Sequence, residues 1–299
     1  MRNNTAFVSA AMLCLCITPA AMSQAVWGGF DATRINYGSG TLDGSAHAGL
    51  RAVIAENDGV VGAMTAELTD DYLSGVDVFY TSLLSRSTGV LSQPEQEALG
   101  RFIGRGGTLI VTADIFPLEA YESSTAQFGV TGYRALTGVG VGRPVAQHVI
   151  TENVVGYAYN TESTYNYGKD ALLLGDNGRG SDYMIVMEPE TGFNAGGRIV
   201  VVGDHNMFTD TYLNQQSNRI LAGNIAAWGA EGGNRCTYTL KKSKPKGGCG
   251  NCPPKGGEYR TQTACEDVKD CDKKVKTIIA CPNGGNGTCK LKGKRDSCG

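Results

Sequence analysis

The distribution of cysteine most constrains how this chain can fold. Ten cysteines are present in 299 residues, two in an N-terminal apolar segment and eight between residues 236 and 298. No cysteine occurs from residue 17 to residue 235. A long stretch without cysteine must rely on an ordinary hydrophobic core, whereas a short cysteine-rich one can be held by cross-links. The chain is therefore predicted to have two differently built parts, and the larger part cannot use a cysteine nucleophile.

The first 25 residues have the pattern of an export signal. Arg2 gives a positive start, residues 6–17 are mostly apolar, and Ser23-Gln24-Ala25 is a small-x-small cleavage site. The apolar run is too short to span a bilayer well, and no second long apolar run follows. We therefore expect residues 1–25 to be a signal peptide. The expected location is secreted or periplasmic, with no transmembrane segment.

Strand-like runs and helical patterns alternate along residues 26–230. Thr108–Thr112 (TLIVT) and Arg198–Gly203 (RIVVVG) are nearly continuous apolar runs, as parallel strands covered on both faces require. Ser92 followed by Glu95 predicts a capping box at a helix start. Further strands are predicted at Val26–Asp31, Val60–Thr65, Val76–Thr81, Gln147–Ile150, Ala171–Leu174 and Tyr183–Met187, and further helices from residue 45, at 119–129 and at Asn218–Trp228. We therefore predict an α/β domain at 26–233, a mostly parallel sheet with helices on both faces.

Residues 234–299 form the predicted second part, a small, basic, disulfide-rich module. Residues 235–299 carry 15 Lys/Arg and 6 Asp/Glu, whereas the whole chain has a formal net charge of −2. This charge indicates either a partner that is a polyanionic surface or polymer, or simple solvation of a module with little core; no nucleic-acid partner is predicted. A lone CxxC without a second one argues against a zinc ribbon. Disulfides are expected among Cys236, Cys249, Cys252, Cys265, Cys271, Cys281, Cys289 and Cys298.

Polar side chains follow the predicted strands of the α/β domain. Ligands bind at the carboxyl ends of the strands in open parallel sheets. An unknown ligand is therefore expected at that edge, and the candidate ligand-binding residues are Asp31, Asp114, Asp204, His205, Asn206 and Asp210.

These residues allow more than one kind of chemistry. His205 suits a general base, and Asp204, Asn206 and Asp210 suit an oxygen-rich cation site. The alternative is that Asp204 caps a turn while His205 faces solvent. His47 is interpreted as a helix-surface residue and His148 as a strand residue.

The loop at residues 175–182 spaces Asp176, Asn177 and Asp182 somewhat like a calcium loop, but it lacks a full EF-hand pattern. An ordinary glycine-rich turn is expected there. No cofactor or metal is predicted, with Ca²⁺ as the alternative.

The patterns VDVFYTS…LSQPEQEALGRFIGRGGTLIVTAD and GGRIVVVGDHNMFTD…NRILAGNIAAW resemble the class I glutamine amidotransferase-like superfamily. The likeness covers about residues 26–230, favours the uncharacterised, non-amidotransferase branches, and does not reach the cysteine-rich module. It implies a flavodoxin-like fold. Enzymatic members use a cysteine nucleophile on a strand-to-helix elbow, but here Ala113-Asp114-Ile115 follows TLIVT and no G-x-S-x-G is present. The resemblance therefore implies a domain without glutamine hydrolysis.

Two functions follow from these observations. The first is a secreted, non-catalytic protein that binds a ligand or partner. The alternative is an extracytoplasmic hydrolase that acts on carbohydrate or a related polymer through strand-end carboxylates and His205. Glycoside chemistry would require two carboxylates about 5–10 Å apart, so Asp114 and Asp204 would have to end neighbouring strands.

Overall fold

A computed structural model describes residues 24–188, 197–230, 235–247, 252, 255–256, 258–264, 271–280 and 288–298. Residues 1–23 of the predicted signal peptide lie outside the described residues, as do Cys249, Cys265 and Cys281. In the part of the chain that is described, no helix is both long and apolar enough to cross a membrane.

The strands and helices have the following bounds. The strands are β1 (Ala25–Gly29), β2 (Gly59–Val61), β3 (Val78–Tyr80), β4 (Thr108–Thr112), β5 (Val130–Leu136), β6 (Gly140–Pro144), β7 (Tyr157–Tyr159), β8 (Glu162–Tyr167), β9 (Ala171–Asp176), β10 (Asp182–Met187), β11 (Arg198–Val202), β12 (Arg235–Lys246), β13 (Glu258–Ala264), β14 (Lys274–Ala280) and β15 (Thr288–Cys298). The helices are α1 (Ala48–Glu56), α2 (Asp70–Leu73), α3 (Gln93–Gly104), α4 (Leu118–Thr125) and α5 (Asn218–Ala230).

The central sheet has nine strands in the order β2-β1-β3-β4-β11-β10-β9-β6-β7. The first five are parallel to one another, and the last four add antiparallel pairs. If the five parallel strands alone are numbered 1 to 5 along the chain, with β11 as the fifth, their order in the sheet is 2-1-3-4-5, as in flavodoxin-like sheets. The predicted fold class is confirmed. The antiparallel extension was not predicted.

Helices cover both faces of the parallel half. On one face Trp27, Tyr80 and Ile110 belong to a core shared with α1 and α5. On the other face Phe79 and Leu109 belong to a second core shared with α2, α3 and α4. Because successive strand residues point to opposite faces, a run such as TLIVT is apolar at nearly every position and buried at all five.

The predicted strand at Gln147–Ile150 is wrong. His148 Nδ1 accepts a hydrogen bond from the backbone N–H of Ile150, and Thr151 Oγ1 accepts one from the backbone N–H of His148. These bonds close a short 3₁₀ turn at Val149–Thr151. His148 is therefore a capping residue rather than a strand residue.

The predicted contact between Ser92 and Glu95 is confirmed, and Glu95 does more than close the first turn of α3. Its carboxylate accepts from the Ser92 backbone N–H at 2.8 Å and forms an ion pair with Arg34 at 2.7 Å. Both residues are buried, with 4% of Glu95 and 9% of Arg34 exposed. This pair joins the loop after β1 to the start of α3.

The C-terminal region is a four-stranded antiparallel sheet in the order β13-β12-β15-β14. Its small core contains Leu240, Cys289 and Leu291. Cys252 and Cys289 form a disulfide, and Cys271 is also disulfide-bonded. The prediction of cross-links is confirmed for these residues.

The antiparallel extension depends on glycine at position 142. A Cβ there would lie 2.1 Å from a ring carbon of Tyr157 and 2.5 Å from the carbonyl oxygen of Asp176. We expect Gly142→Ala to lower the free energy of unfolding by about 1–3 kcal/mol, because the tyrosine must shift in a packed core. Urea unfolding measures the loss. Gly168→Ala is the control, since a Cβ at Gly168 meets nothing within 4 Å; equal losses in both variants would contradict the packing argument.

Candidate functional site

Two neighbouring strands bring the central residues of the site together. β4 and β11 are parallel, with Thr112 paired to Val202, and the backbone N–H of Ala113 donates to the carbonyl of Val202. Asp114 and Asp204 therefore leave the sheet side by side at its carboxyl edge. The adjacency that the hydrolase alternative required is present.

Asp114 and His205 form a close pair at this edge. Nδ1 of His205 lies 2.5 Å from Oδ2 of Asp114, and the two side chains are 12% and 9% exposed. The other oxygen of Asp114 accepts from the backbone N–H of Ile115 at 2.5 Å and from the hydroxyl of Thr161 at 3.1 Å. These bonds fix the carboxylate, which in turn fixes the imidazole.

The contact with Asp114 determines which ring nitrogen of His205 is available to accept a hydrogen bond. With the proton on Nδ1 donated to the carboxylate, Nε2 carries the lone pair. Among the described residues Nε2 has no hydrogen-bond partner, and it is not one of the fully buried unpaired atoms. His205 is therefore an oriented, partly accessible imidazole, not the solvent-facing edge residue of the alternative interpretation.

Asp204 is a supporting residue of the site. It is fully buried and accepts from the backbone N–H of Asn160 at 2.7 Å, the backbone N–H of Asn206 at 2.8 Å and the amide of Asn206 at 3.0 Å. Burial raises the pKa of Asp204 to about 7, against the opposing effects of His205 and of these N–H donors. A carboxylate with both oxygens occupied and no exposed surface cannot contact a substrate, so a mechanism using Asp114 and Asp204 as paired glycosidase carboxylates is not supported.

The same three residues could also hold a cation. Asp114, Asp204 and His205 each offer one ligand atom, and these atoms all lie within 4.8 Å of one another. Nδ1 of His205 can either donate its proton to Asp114 or coordinate a metal ion, but not both. The 2.5 Å contact is the hydrogen-bonded arrangement.

The other predicted residues lie elsewhere or play another role. Oδ1 of Asp210 accepts from the backbone N–H of Gly49 at 2.6 Å, in the first turn of α1. Asp31 accepts from the backbone N–H and the hydroxyl of Thr33, which closes a local turn. Asn206 donates its amide to Asp204. The cation set of Asp204, Asn206 and Asp210 therefore stays a prediction; in the structure Asn206 donates to Asp204, whereas Asp210 contacts the start of α1.

His47 was missed as a part of this region and its predicted surface position is wrong. It is fully buried, with Nδ1 3.2 Å from the carbonyl of Thr41 and Nε2 3.4 Å from the hydroxyl of Tyr80. Burial and, to a smaller extent, the nearby His205 lower the pKa of His47 to about 4. The helix was expected from residue 45, but a 3₁₀ turn at Ser45–His47 comes first and rotates His47 inward.

The loop at residues 175–182 is a glycine-rich turn, as predicted. Asp176 accepts from the backbone N–H of Gly178 and pairs with Arg143, and Asn177 accepts from the backbone N–H of Arg179 and Ser181. These side chains are used to build the turn between β9 and β10.

Solved structures of other proteins with this fold match about 70% of the chain. The "mmIFT52 N-terminal domain" is 15% identical with a TM-score of 0.54, and covers 70% of this chain and 98% of that one. The "Cytoplasmic Protein STM1381 from Salmonella typhimurium LT2" is 11% identical with a TM-score of 0.52, and covers 70% of this chain and 100% of that one. Similarity at this level of identity concerns the fold alone.

Structures named as glutamine amidotransferases are also among the neighbours. One from Thermotoga maritima is 9% identical with a TM-score of 0.45, and covers 70% of this chain and 99% of that one. The predicted resemblance is thus found among the structural neighbours, at a level that carries no argument about activity.

The expected secreted or periplasmic location is wrong by this comparison. Two neighbours that cover 70% and 69% of this chain, STM1381 and STM3548, are both named cytoplasmic proteins. The N-terminal pattern that suggested export is one of composition, and a short apolar run can satisfy it without serving as an export signal.

Sequence comparison gives the family. No curated protein is significantly similar to the chain. A family model described as "Domain of unknown function (DUF4350)" matches residues 48–226, which is more than half of the chain. The chain therefore belongs to the DUF4350 family.

Proposed function

We propose that the α/β domain binds a small ligand at the carboxyl ends of β4 and β11, and that Nε2 of His205 accepts a hydrogen bond from it. The observation that carries this proposal is the contact between Asp114 and His205. It supports a binding group because the imidazole is held in one orientation with one nitrogen accessible.

The position of the pair supports the same function. Ligands of open parallel sheets bind in the crevice at the carboxyl ends of the strands. Asp114 and His205 follow β4 and β11 there, and the buried Asp204, bonded to the half-buried Asn206, holds the turn that carries His205. An oriented imidazole on a rigid strand end can select a hydroxyl or another hydrogen-bond donor.

Hydrolysis is the second candidate function, and the same pair favours it. A carboxylate that orients a histidine is the arrangement by which an enzyme activates water or a hydroxyl group as a general base. The described strand ends offer no cysteine, and Asp204 is inaccessible. Catalysis would therefore depend on His205 as the base.

The tautomer of His205 tests the Asp114–His205 contact, on which both proposed functions rest. We expect long-range ¹H–¹⁵N spectra of the full chain to show the proton of His205 on Nδ1, and Asp114→Ala to release it to the Nε2–H form. Asp210→Ala is the matched control, because Asp210 contacts Gly49 instead. A wild-type His205 protonated on Nε2 would remove the basis for the proposal.

A ligand screen tests the function itself. Thermal shift with glycans, nucleotides and phosphorylated sugars, with and without Ca²⁺, should identify a stabilising compound; at about 100 times its dissociation constant it adds roughly 2.7 kcal/mol. We expect His205→Gln to lose the shift and His148→Gln to keep it, since His148 pairs with Glu188 away from this edge. Turnover of p-nitrophenyl esters or glycosides that His205→Gln abolishes would favour hydrolysis, and a shift unchanged in His205→Gln would contradict the site.

A further inference from the structure

One face of the C-terminal sheet carries a regular array of lysines. β12 is paired with β15, and β15 with β14, so residues directly opposite in these ladders share a face. Lys276, Lys292 and Lys242 form one such row across the three strands. Because side chains two residues apart also share a face, the array contains Lys242, Lys244, Lys246, Lys274, Lys276, Lys290, Lys292 and Lys294, which we call the lysine face.

The lysine face is exposed to solvent. All eight side chains are exposed, and among the described residues none of them forms an ion pair. The opposite face of the sheet carries Leu240, Cys289 and Leu291, which form the core of the module. The lysines therefore point away from the only apolar contacts that the described part of this sheet provides.

Folding does not explain this arrangement. Like charges directly opposite each other destabilise a sheet. Lysines protect exposed edge strands from pairing with other chains, but six of these eight lie on β12 and β15, which are the interior strands. The array opposes the stability of the sheet on which it stands, so a binding partner is the better explanation.

We propose that the lysine face docks on an anionic phospholipid bilayer. The array is two-dimensional, three strands wide, and thus matches a plane of charges better than a single polymer strand. Its charges are all lysines, which act as point charges, and it has none of the arginine forks that recognise individual phosphates in pairs.

An exposed apolar side chain on the same face favours a bilayer over a soluble polyanion. Ile278 is directly opposite Lys290 and is 58% exposed. Basic surfaces with an apolar side chain bind at membrane interfaces, where the apolar group enters the headgroup boundary and the cations meet anionic lipids. An acidic polysaccharide would offer Ile278 no apolar environment.

Vesicle binding by the full, oxidised chain tests the proposal. We expect co-sedimentation with phosphatidylcholine vesicles that contain phosphatidylserine, little with pure phosphatidylcholine, and a loss of binding at high salt. The triple variant K242Q/K276Q/K292Q should bind roughly a hundredfold more weakly, since each lysine near an anionic surface contributes about fivefold.

Three further variants make the outcome decisive. K169Q/K255Q/K273Q removes the same charge from exposed positions outside the strands and should keep most of the binding. Ile278→Ser should weaken vesicle binding but leave heparin binding unchanged. No binding to phosphatidylserine vesicles, equal losses in the two triple variants, or binding to heparin alone would overturn the bilayer proposal. His205→Gln should bind vesicles normally, because the lysine face is independent of the strand-end site.

Discussion

Replacing Glu95 with alanine is expected to lower the free energy of unfolding by about 3–5 kcal/mol, the usual cost of removing one partner of a buried ion pair. The Glu95 carboxylate accepts from Arg34 at 2.7 Å, from the backbone N–H of Leu68 at 3.2 Å and from both the N–H and the hydroxyl of Ser92. Without it, the Arg34 guanidinium keeps the carbonyls of Ala66 and Val90 and the ring of Phe30, none of which is charged. A buried positive charge then has no counter-charge.

Urea unfolding followed by tryptophan fluorescence measures this loss in the α/β domain, because both tryptophans of the chain, Trp27 and Trp228, lie there. The matched control is Glu56→Ala, which removes an exposed pair with Arg219 at 2.7 Å. That pair should contribute less than about 1 kcal/mol. Comparable losses in the two variants would show that burial does not increase the contribution of the Arg34–Glu95 pair to the free energy of unfolding.

The parallel half of the sheet could be predicted from the sequence because its strands are buried on both faces. TLIVT and RIVVVG are apolar at nearly every position, and a sheet with helices on both faces is the arrangement that such runs favour. Asp114 and Asp204 follow these two strands directly, so their position at one edge followed from the same pattern. Their contact with His205 needed coordinates, because a strand order cannot be read from burial alone.

The separate two-stranded antiparallel sheet of β5 and β8 was harder to predict because polar side chains replace the apolar pattern. β8 begins Glu162-Ser163-Thr164, three buried residues whose polarity suggests a loop. The first two have partners distant in sequence, since Asn177 donates to Glu162 and Ser163 donates to the carbonyl of Asp114. Periodicity reports only hydropathy, and it cannot show that a polar side chain has a buried partner.

His47 was misplaced for a related reason. A helix starting at residue 45 would put this residue on an outer face, and no residue pattern indicated the 3₁₀ turn that precedes α1. Helix boundaries are the least reliable element of such a prediction. A shift of one residue in a helix rotates a side chain by about 100°, which is enough to move it from solvent to the core.

Two buried groups at the site are expected to affect stability in opposite directions between pH 4 and 7. The pKa of Asp204 is about 7 in the folded protein against 3.8 when exposed, so the folded state binds its proton more tightly and stability falls as pH rises through this range. The pKa of His47 is about 4 against 6.5, so the unfolded state binds its proton more tightly and stability rises with pH from 4 to 6.5. In the wild-type protein the two effects offset each other.

Substituting one residue at a time should separate the pH effects of Asp204 and His47. Relative to wild type, Asp204→Asn should become more stable by roughly 1.4 kcal/mol per pH unit, about 4 kcal/mol in all between pH 4 and 7. Relative to wild type, His47→Gln should lose stability by a similar slope up to pH 6.5, about 3 kcal/mol in all. A hydrogen bond lost in either variant lowers its unfolding free energy equally at every pH and does not change the slope against pH. Urea unfolding at several pH values therefore isolates the effect of titration. The difference in unfolding free energy between Asp204→Asn and wild type could instead stay constant with pH. Asp204 would then keep its charge throughout, because its three N–H donors outweigh its burial. A fixed negative charge would in that case lie beside the Asp114–His205 pair.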